Sequence, residues 1–243
     1  MRAVARALPA AILAGVAAAA AAPVTPAAAA ATQVAPPPAT TDALFHAIAV
    51  DDDRAVARLL AHGADPDARD PRGQVALYVA LRDGSPRSAR VLEAAPGLHV
   101  DATNDAGETP LMMAALRADA AAVEALLARG AAPHRAGWSP LHYAASGGDA
   151  ALVARFLALG APVDARAPNG ATPLMMAARY GSSAAAQVLL VAGADRALVN
   201  DAGRDAAAEA DAGGMDGVAR WLRAWQPPPA WTTRTTRTTP TPR

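Results

Sequence analysis

The sequence predicts an all-α solenoid, a stack of short helix-turn-helix units, and three observations lead to this fold class. The phrase GETPLMMAAL at residues 107–116 returns as GATPLMMAAR at 170–179, with the related GWSPLHYAAS at 137–146 between them. Glycines that follow leucine-rich segments recur at intervals of 34, 33, 30 and 33 residues, and they are Gly63, Gly97, Gly130, Gly160 and Gly193. The chain is 53% hydrophobic but only 4% aromatic and has no cysteine, so small aliphatic side chains must form its core. Such a fixed period indicates a repeat architecture in which neighbouring units bury each other's apolar faces.

Each unit begins with residues that suit the start of a helix. At Thr109-Pro110 the threonine hydroxyl can accept hydrogen bonds from free N–H groups, and proline suits a first-turn position that needs no donor. An alanine-rich first helix is followed by a turn and a second helix, in which Val123, Leu126 and Leu127 have helical spacing. Gly130 then ends the second helix at a position of positive φ, and an extended loop with Asp or Asn leads to the next unit.

These residues resemble the ankyrin repeat. The family pattern T-P-L-H-x-A is matched in kind by SPLHYA at residues 139–144, and GETPLMMAA and GATPLMMAA repeat it in register. The resemblance implies an ankyrin-repeat α-solenoid of about five helix-turn-helix units plus a C-terminal capping half-unit, joined by short β-hairpin-like loops. The predicted domain covers residues 42–226, with approximate repeats at 42–71, 72–105, 106–136, 137–169 and 170–202 and a cap at 203–226.

Two positions depart from the regular pattern. The interval from the helix-ending glycine to the next phrase leucine is 14 residues for Gly97–Leu111 but only 11 for Gly130–Leu141. The loop that enters the fourth unit is therefore three residues short, which predicts one stunted hairpin. In the second unit, Pro96 is expected to break the outer helix early.

Both ends of the chain differ in composition from the repeats. Residues 1–31 combine Arg2 and Arg6 with an apolar run and small-residue cleavage sites, which is typical of a cleaved signal peptide. We expect export to a Gram-negative periplasm and no membrane span after cleavage; a membrane anchor and a cytosolic protein starting near Asp42 are the alternatives. Residues 32–41 are predicted to form a proline-rich linker and residues 227–243 a disordered Pro/Thr/Arg tail.

Charge and motif content favour a binding protein over an enzyme. The 22 basic residues, all arginine, balance 22 acidic residues, so we expect no nucleic-acid partner. Ser139 and His142 lack an acidic partner nearby in sequence, and the resemblance implies that they are a helix cap and a structural histidine. Met112 and Met175 are expected to pack between units, and no cofactor or metal site is predicted. The alternative is a periplasmic enzyme-accessory or copper-handling protein that uses Met and His positions, since methionine sulfur binds Cu(I).

The resemblance places partner contacts on the concave groove and the loop tips, and we expect a monomer that binds another protein there. The groove positions, carried over one by one, are Val79, Arg82, Met113, Leu116, Arg117, Tyr143, Met176, Arg179 and Tyr180. Trp138 joins them because it lies at the base of the shortened loop, where Glu108 and Ala171 occupy the same position in other units. A second interpretation is that Trp138 only covers the gap left by the missing residues. With Tyr143 in the groove, we expect Leu141→Ala to destabilise the fold more than Tyr143→Ala.

Overall fold

The computed structural model of the protein describes residues 38–226, which form a series of helix pairs. The helices are α1 (Pro38–Ala49), α2 (Asp53–Ala61), α3 (Ala76–Asp83), α4 (Pro86–Glu93), α5 (Pro110–Leu116), α6 (Ala120–Ala128), α7 (Pro140–Gly147), α8 (Ala150–Ala158), α9 (Pro173–Arg179), α10 (Ser183–Val191), α11 (Ala206–Ala212) and α12 (Asp216–Ala224). The all-α solenoid predicted from the sequence is confirmed. No helix between residues 38 and 226 has the length and apolar content needed to cross a bilayer. The predicted signal peptide, most of the predicted linker and all of the predicted tail lie outside the described residues.

Side-chain caps begin most of these helices. Thr109 accepts a hydrogen bond from the N–H of Met112 at 3.3 Å, and Thr172 accepts one from Met175 at 3.4 Å. Four of the outer helices, the second of each pair, begin with acidic or hydroxyl caps such as Asp119, which accepts from the N–H of Ala122 at 3.0 Å. Each cap satisfies an N–H group that has no partner inside its helix.

The turn between the two helices of a unit requires one residue with positive φ. In four units this residue is a glycine: Gly84, Gly148, Gly181 or Gly214. In the other two it is Asp51, at φ 50°, and Ala118, at φ 55°. Asp51 gains a compensating interaction, because its carboxylate accepts the N–H groups of Arg87 and Ser88 at 3.0 and 2.8 Å. Ala118 has no side chain that could do the same, so its turn carries uncompensated strain.

The core lies along the inner helices, the first of each pair. Each inner helix contacts the next, from α1 through to α11. The phrase leucines Leu77, Leu111, Leu141 and Leu174 are all buried between these helices. Close approach depends on glycine at Gly147, where a Cβ atom would lie 2.5 Å from the carbonyl oxygen of Leu116. The result is a continuous core to which every unit contributes.

The loops between units are hairpin-like except at the predicted irregularity. Four loops close with a hydrogen bond from one N–H to the carbonyl four residues later: Asp70 to Gln74 (2.9 Å), Asn104 to Glu108 (3.0 Å), Ala167 to Ala171 (2.9 Å) and Asn200 to Arg204 (3.0 Å). One of them also forms an isolated antiparallel bridge, between Arg69 and Val75. The described loop at residues 131–138 has no equivalent bond, as expected for a hairpin that lacks three residues.

Two details of the predicted boundaries change, and a third is as predicted. Helix α1 begins at Pro38, so the last four residues of the predicted linker, 38–41, are helical. Proline suits the first turn of a helix, which explains how a proline-rich segment can run directly into one. The predicted half-unit at 203–226 contains both α11 and α12, a complete helix pair. Pro96 acts as predicted, since α4 has 8 residues where α2 and α6 have 9.

Candidate partner-binding surface

Half of the predicted contact residues lie inside the stack. Val79, Met113, Leu116, Tyr143 and Met176 each expose 9% or less of their surface. The expectation that they form an exposed apolar strip is therefore wrong. The inner helices are only seven or eight residues long from α3 to α11 and most are contacted by a neighbour on each side, so a large side chain beside the phrase leucine meets the next unit before it meets solvent.

Tyr143 is held by a buried carboxylate that the sequence analysis missed. The Tyr143 hydroxyl donates to Glu108 Oε1 at 2.5 Å, and Tyr78, from two units earlier, donates to Glu108 Oε2, also at 2.5 Å. The Asn104 side-chain amide donates to the same Oε2 at 2.8 Å. Glu108 is 4% exposed, and three donors thus satisfy a carboxylate that would otherwise be costly to bury.

The protonation of the two tyrosines is fixed by this environment. Burial is the largest cause that raises the pKa of Tyr143 and of Tyr78 far above the usual range, and Glu108 raises both further. Both hydroxyls therefore remain donors at every physiological pH. The Tyr78–Glu108–Tyr143 cluster ties the second, third and fourth units together through side chains. In the sequence, this cluster was indicated only by Glu108, an acidic residue at the position that Trp138 and Ala171 occupy in other units.

Trp138 lies half-buried just before α7, above this cluster. Its ring meets the His142 ring edge-on, with centroids 5.4 Å apart, and the Tyr143 ring edge-on at 6.3 Å. Edge-to-face packing of this kind is favourable for aromatic rings. Trp138 therefore packs against two neighbouring rings and also keeps part of its surface open to solvent.

His142 is structural in its surroundings. It is fully buried; its Nδ1 lies 2.9 Å from Ser139 Oγ, and its Nε2 lies 3.1 Å and 3.2 Å from the carbonyl oxygens of Ala165 and Ala171. Burial lowers the pKa of His142 to about 4, against a partial offset from the two carbonyls. Ser139 holds the N-cap position, but its hydroxyl interacts with the histidine and makes no cap hydrogen bond to the backbone, which corrects the predicted role.

The predicted arginines fall into two groups. Arg82 is half-buried and pairs with Asp83 at 2.6 Å, and Arg179 is half-buried and pairs with the buried Glu209 at 2.7 Å. Arg117 is exposed, and it forms no ion pair within residues 38–226. Of these three arginines, only Arg117 therefore presents a charge to solvent that no described acidic side chain neutralises. Tyr180 is half-buried at the end of α9.

The methionines behave as packing residues where the structure describes them. Met112 and Met175 are buried, and their sulfur atoms accept the N–H groups of Thr109 at 3.5 Å and Thr172 at 3.4 Å. The prediction that they pack between units is confirmed. Within residues 38–226, no three His, Asp or Glu side chains form a group that could hold a metal ion.

Comparison with known proteins agrees with this architecture. A family model described as ankyrin repeats (three copies) matches residues 44–136 and 111–200. Among solved structures, the ankyrin-repeat domain of Bcl-3, described as a member of the IkappaB protein family, is 30% identical with a TM-score of 0.56. That similarity covers 73% of this chain and 81% of the Bcl-3 domain. A search of curated proteins returns no significant match.

Proposed function

Because the chain belongs to the ankyrin-repeat family, whose repeats are protein–protein interaction modules, we propose that it is a non-enzymatic periplasmic protein that binds a partner protein as a monomer. The proposed site is the solvent-facing part of Trp138 together with Arg117 on the neighbouring unit. The observation that carries the proposal is a large aromatic side chain, partly open to solvent, at the one loop that is shorter than the others.

The residue types of Trp138 and Arg117 support a binding role. Trp and Arg are the residue types that contribute most to protein interfaces, because each combines a large contact area with a directional polar group. The buried Tyr143 and His142 rings hold the indole from below, so Trp138 would lose little conformational freedom when a partner binds. Tyr143 is accordingly assigned as support for the anchor, in place of the direct contact expected from the sequence.

We propose no enzymatic activity because the candidate catalytic pair, Ser139 and His142, is engaged in structural contacts. Both ring nitrogens of His142 lie within hydrogen-bond distance of neighbours, and the side chain is fully buried. A general base needs an accessible nitrogen near substrate. The periplasmic location rests on the composition of residues 1–31 alone.

A capture experiment with matched variants tests the proposed site. The full chain, Trp138→Ala and Trp225→Ala would each be used to isolate crosslinked partners from a periplasmic extract, with identification by mass spectrometry. Trp225 is also half-buried but follows the last helix, so it controls for loss of a tryptophan elsewhere. We expect Trp138→Ala to weaken binding about tenfold or more and Trp225→Ala to leave it unchanged.

A second pair of variants tests whether the charge of Arg117 contributes to binding through its position. Arg117→Ala is compared with Arg58→Ala, another exposed arginine without an ion pair among the described residues. Arg117→Ala should weaken binding and Arg58→Ala should not. If the Trp138 and Arg117 variants both retain full binding, the concave surface is not the interface.

A further inference from the structure

A second concave surface lies on the outer side of the first two units, away from Trp138. It is a groove of about 730 Å³ between the outer helices α2 and α4. Its aliphatic lining includes Ala57, Leu60, Ala61, Val91, Ala94 and Pro96. Ala57, Ala61 and Ala94 are exposed, so these small side chains leave the groove open to solvent. The volume lies in the range of small-molecule sites, and the lining is apolar as such sites require.

The groove follows from a local feature of the second unit. Pro96, which lines one end, stops α4 early, and exposed alanines line the groove at Ala57 and Ala61 of α2 and at Ala94 just after α4. The α2 helix has nine residues, so the groove can accommodate a slender ligand of about 13 Å in length. The lining contains no aromatic side chain, which favours an unbranched aliphatic chain over a flat ring system.

Positive charge borders the same groove. Helices α2 and α4 together carry four arginines, at 54, 58, 87 and 90, against two acids, Asp53 and Glu93. Arg87 and Arg90 line the groove together with Asp53, whereas Glu93 is buried and is not among the lining residues. The described side-chain contact of Arg87 uses its Nε, which lies 3.2 Å from Asp51, and Arg90 has no ion pair within residues 38–226.

We propose that this groove binds an aliphatic carboxylate, with the hydrocarbon chain along the alanines and the carboxylate at Arg90 and Arg87. A guanidinium group recognises a carboxylate through paired N–H donors, and burial of the chain supplies the apolar contribution. The two terminal segments of the chain do not complement the positive charge of these arginines. Residues 1–37 and 227–243 contain arginines and no acidic residue, so neither segment offers an acidic side chain to Arg90.

Titration calorimetry with the full chain and sodium decanoate tests the proposal, at concentrations below those at which the amphiphile forms micelles. One ligand should bind per chain. Decyltrimethylammonium, which has the same chain length and a cationic head group, should bind at least fivefold more weakly, because it lacks the carboxylate that the arginines would pair with.

Matched variants locate the site. Ala57→Leu should fill the groove and abolish binding, whereas Ala154→Leu, an exposed alanine on α8 that also precedes an arginine, should leave binding unchanged. Arg90→Gln should weaken decanoate about fivefold, and Arg58→Gln, which lies outside the lining, should not.

Ala57 and Ala154 are exposed on their helices, so both leucine variants should unfold at the same urea concentration as the parent. Equal binding of the cationic amphiphile, equal losses in the two leucine variants, or no effect of Arg90→Gln would each overturn the proposal. Failure of this proposal would not bear on the proposed Trp138 surface, because the two sites share no residue.

Discussion

Replacing Glu93 by glutamine should make the protein more stable at neutral and alkaline pH. Glu93 is the last residue of α4, is 8% exposed, and its Oε1 has no hydrogen-bond partner within the described residues. Burial is the largest cause that raises the pKa of Glu93 from 4.5 to about 7, and the Asp119 carboxylate raises it further. Arg90 and Arg129 act in the opposite direction. A buried charge without sufficient compensation therefore exists above neutral pH.

The pH window and the magnitude follow from the pKa. Below pH 4.5 the side chain is protonated in both the folded and the unfolded chain, and Glu93 carries no penalty. Between pH 4.5 and about 7 the unfolded chain releases this proton while the folded chain retains it, so stability falls as pH rises. Above about pH 7 the penalty is constant. A pKa difference of this size corresponds to about 3 kcal/mol.

Urea denaturation of Glu93→Gln and the parent, followed by circular dichroism, measures this difference. At about pH 8 the variant should be more stable by up to about 3 kcal/mol, and at about pH 4.5 the two should nearly coincide. Taking the difference at each pH cancels the titration of all other groups, provided that the slope of stability against urea is the same. Glu124→Gln, on the exposed surface of α6, is the matched control and should show no such gain. A constant difference between the parent and Glu93→Gln across this range would refute the reasoning.

Three further predictions concern other units. Ala118→Gly should stabilise the fold by about 1 kcal/mol in urea denaturation, because φ 55° is unfavourable for alanine; no gain would mean that the turn is unstrained. Tyr143→Phe should cost about 1.5–3 kcal/mol in the same assay, since Glu108 loses a donor, and Tyr143→Ala should cost about as much as Leu141→Ala. The stability of the parent relative to His142→Gln should fall by up to about 3 kcal/mol between pH 6.5 and pH 4, because the unfolded chain binds a proton at His142 that the folded chain does not bind; a constant difference between the two would exclude His142 as the cause.

The fold could be predicted from the sequence because its determinants are local and repeated. Thr109-Pro110 and Thr172-Pro173 each fix a helix start, and Gly130, at φ 89°, ends a helix as expected. Several copies in register also define the stacking, since each unit can bury its apolar face only against the next. The boundary errors at α1 and α11 arose where the repeated phrase is missing and only composition remained.

The surface was harder to predict because burial depends on contacts between units. Helical periodicity places Tyr143 on a different side from Leu141, but it does not say whether a neighbouring helix covers that side. Here the donor from Tyr143 reaches a carboxylate 35 residues away in sequence, and Tyr78 reaches the same carboxylate from the other direction. Such an arrangement can be recognised only from distances between atoms in the folded protein. Glu108 carried no pattern that marked it as buried.

The shortened loop and the Glu108 cluster belong to the same part of the stack, and this bears on why Trp138 is found there. Elsewhere an aspartate four residues after the helix-ending glycine accepts an N–H group of the next hairpin: Asp67 from His99, Asp101 from Ala132 and Asp164 from Asp195, each at 3.1 Å. His134 occupies that position in the shortened loop, and no equivalent bond occurs among the described residues.

His142 connects its unit to that next hairpin instead, since its Nε2 lies 3.1 Å from the carbonyl oxygen of Ala165, and further side chains contact the preceding unit. Arg135 donates to the carbonyl of Gly107 at 3.1 Å, and Tyr143 donates to Glu108. Both contacts join the third unit to the fourth, so these two units stay connected although the loop between them lacks a full hairpin. A full-length hairpin would add three residues at this position. The contacts of Arg135, Tyr143 and His142 thus hold this unit in the stack on both sides, while part of Trp138 remains open to solvent.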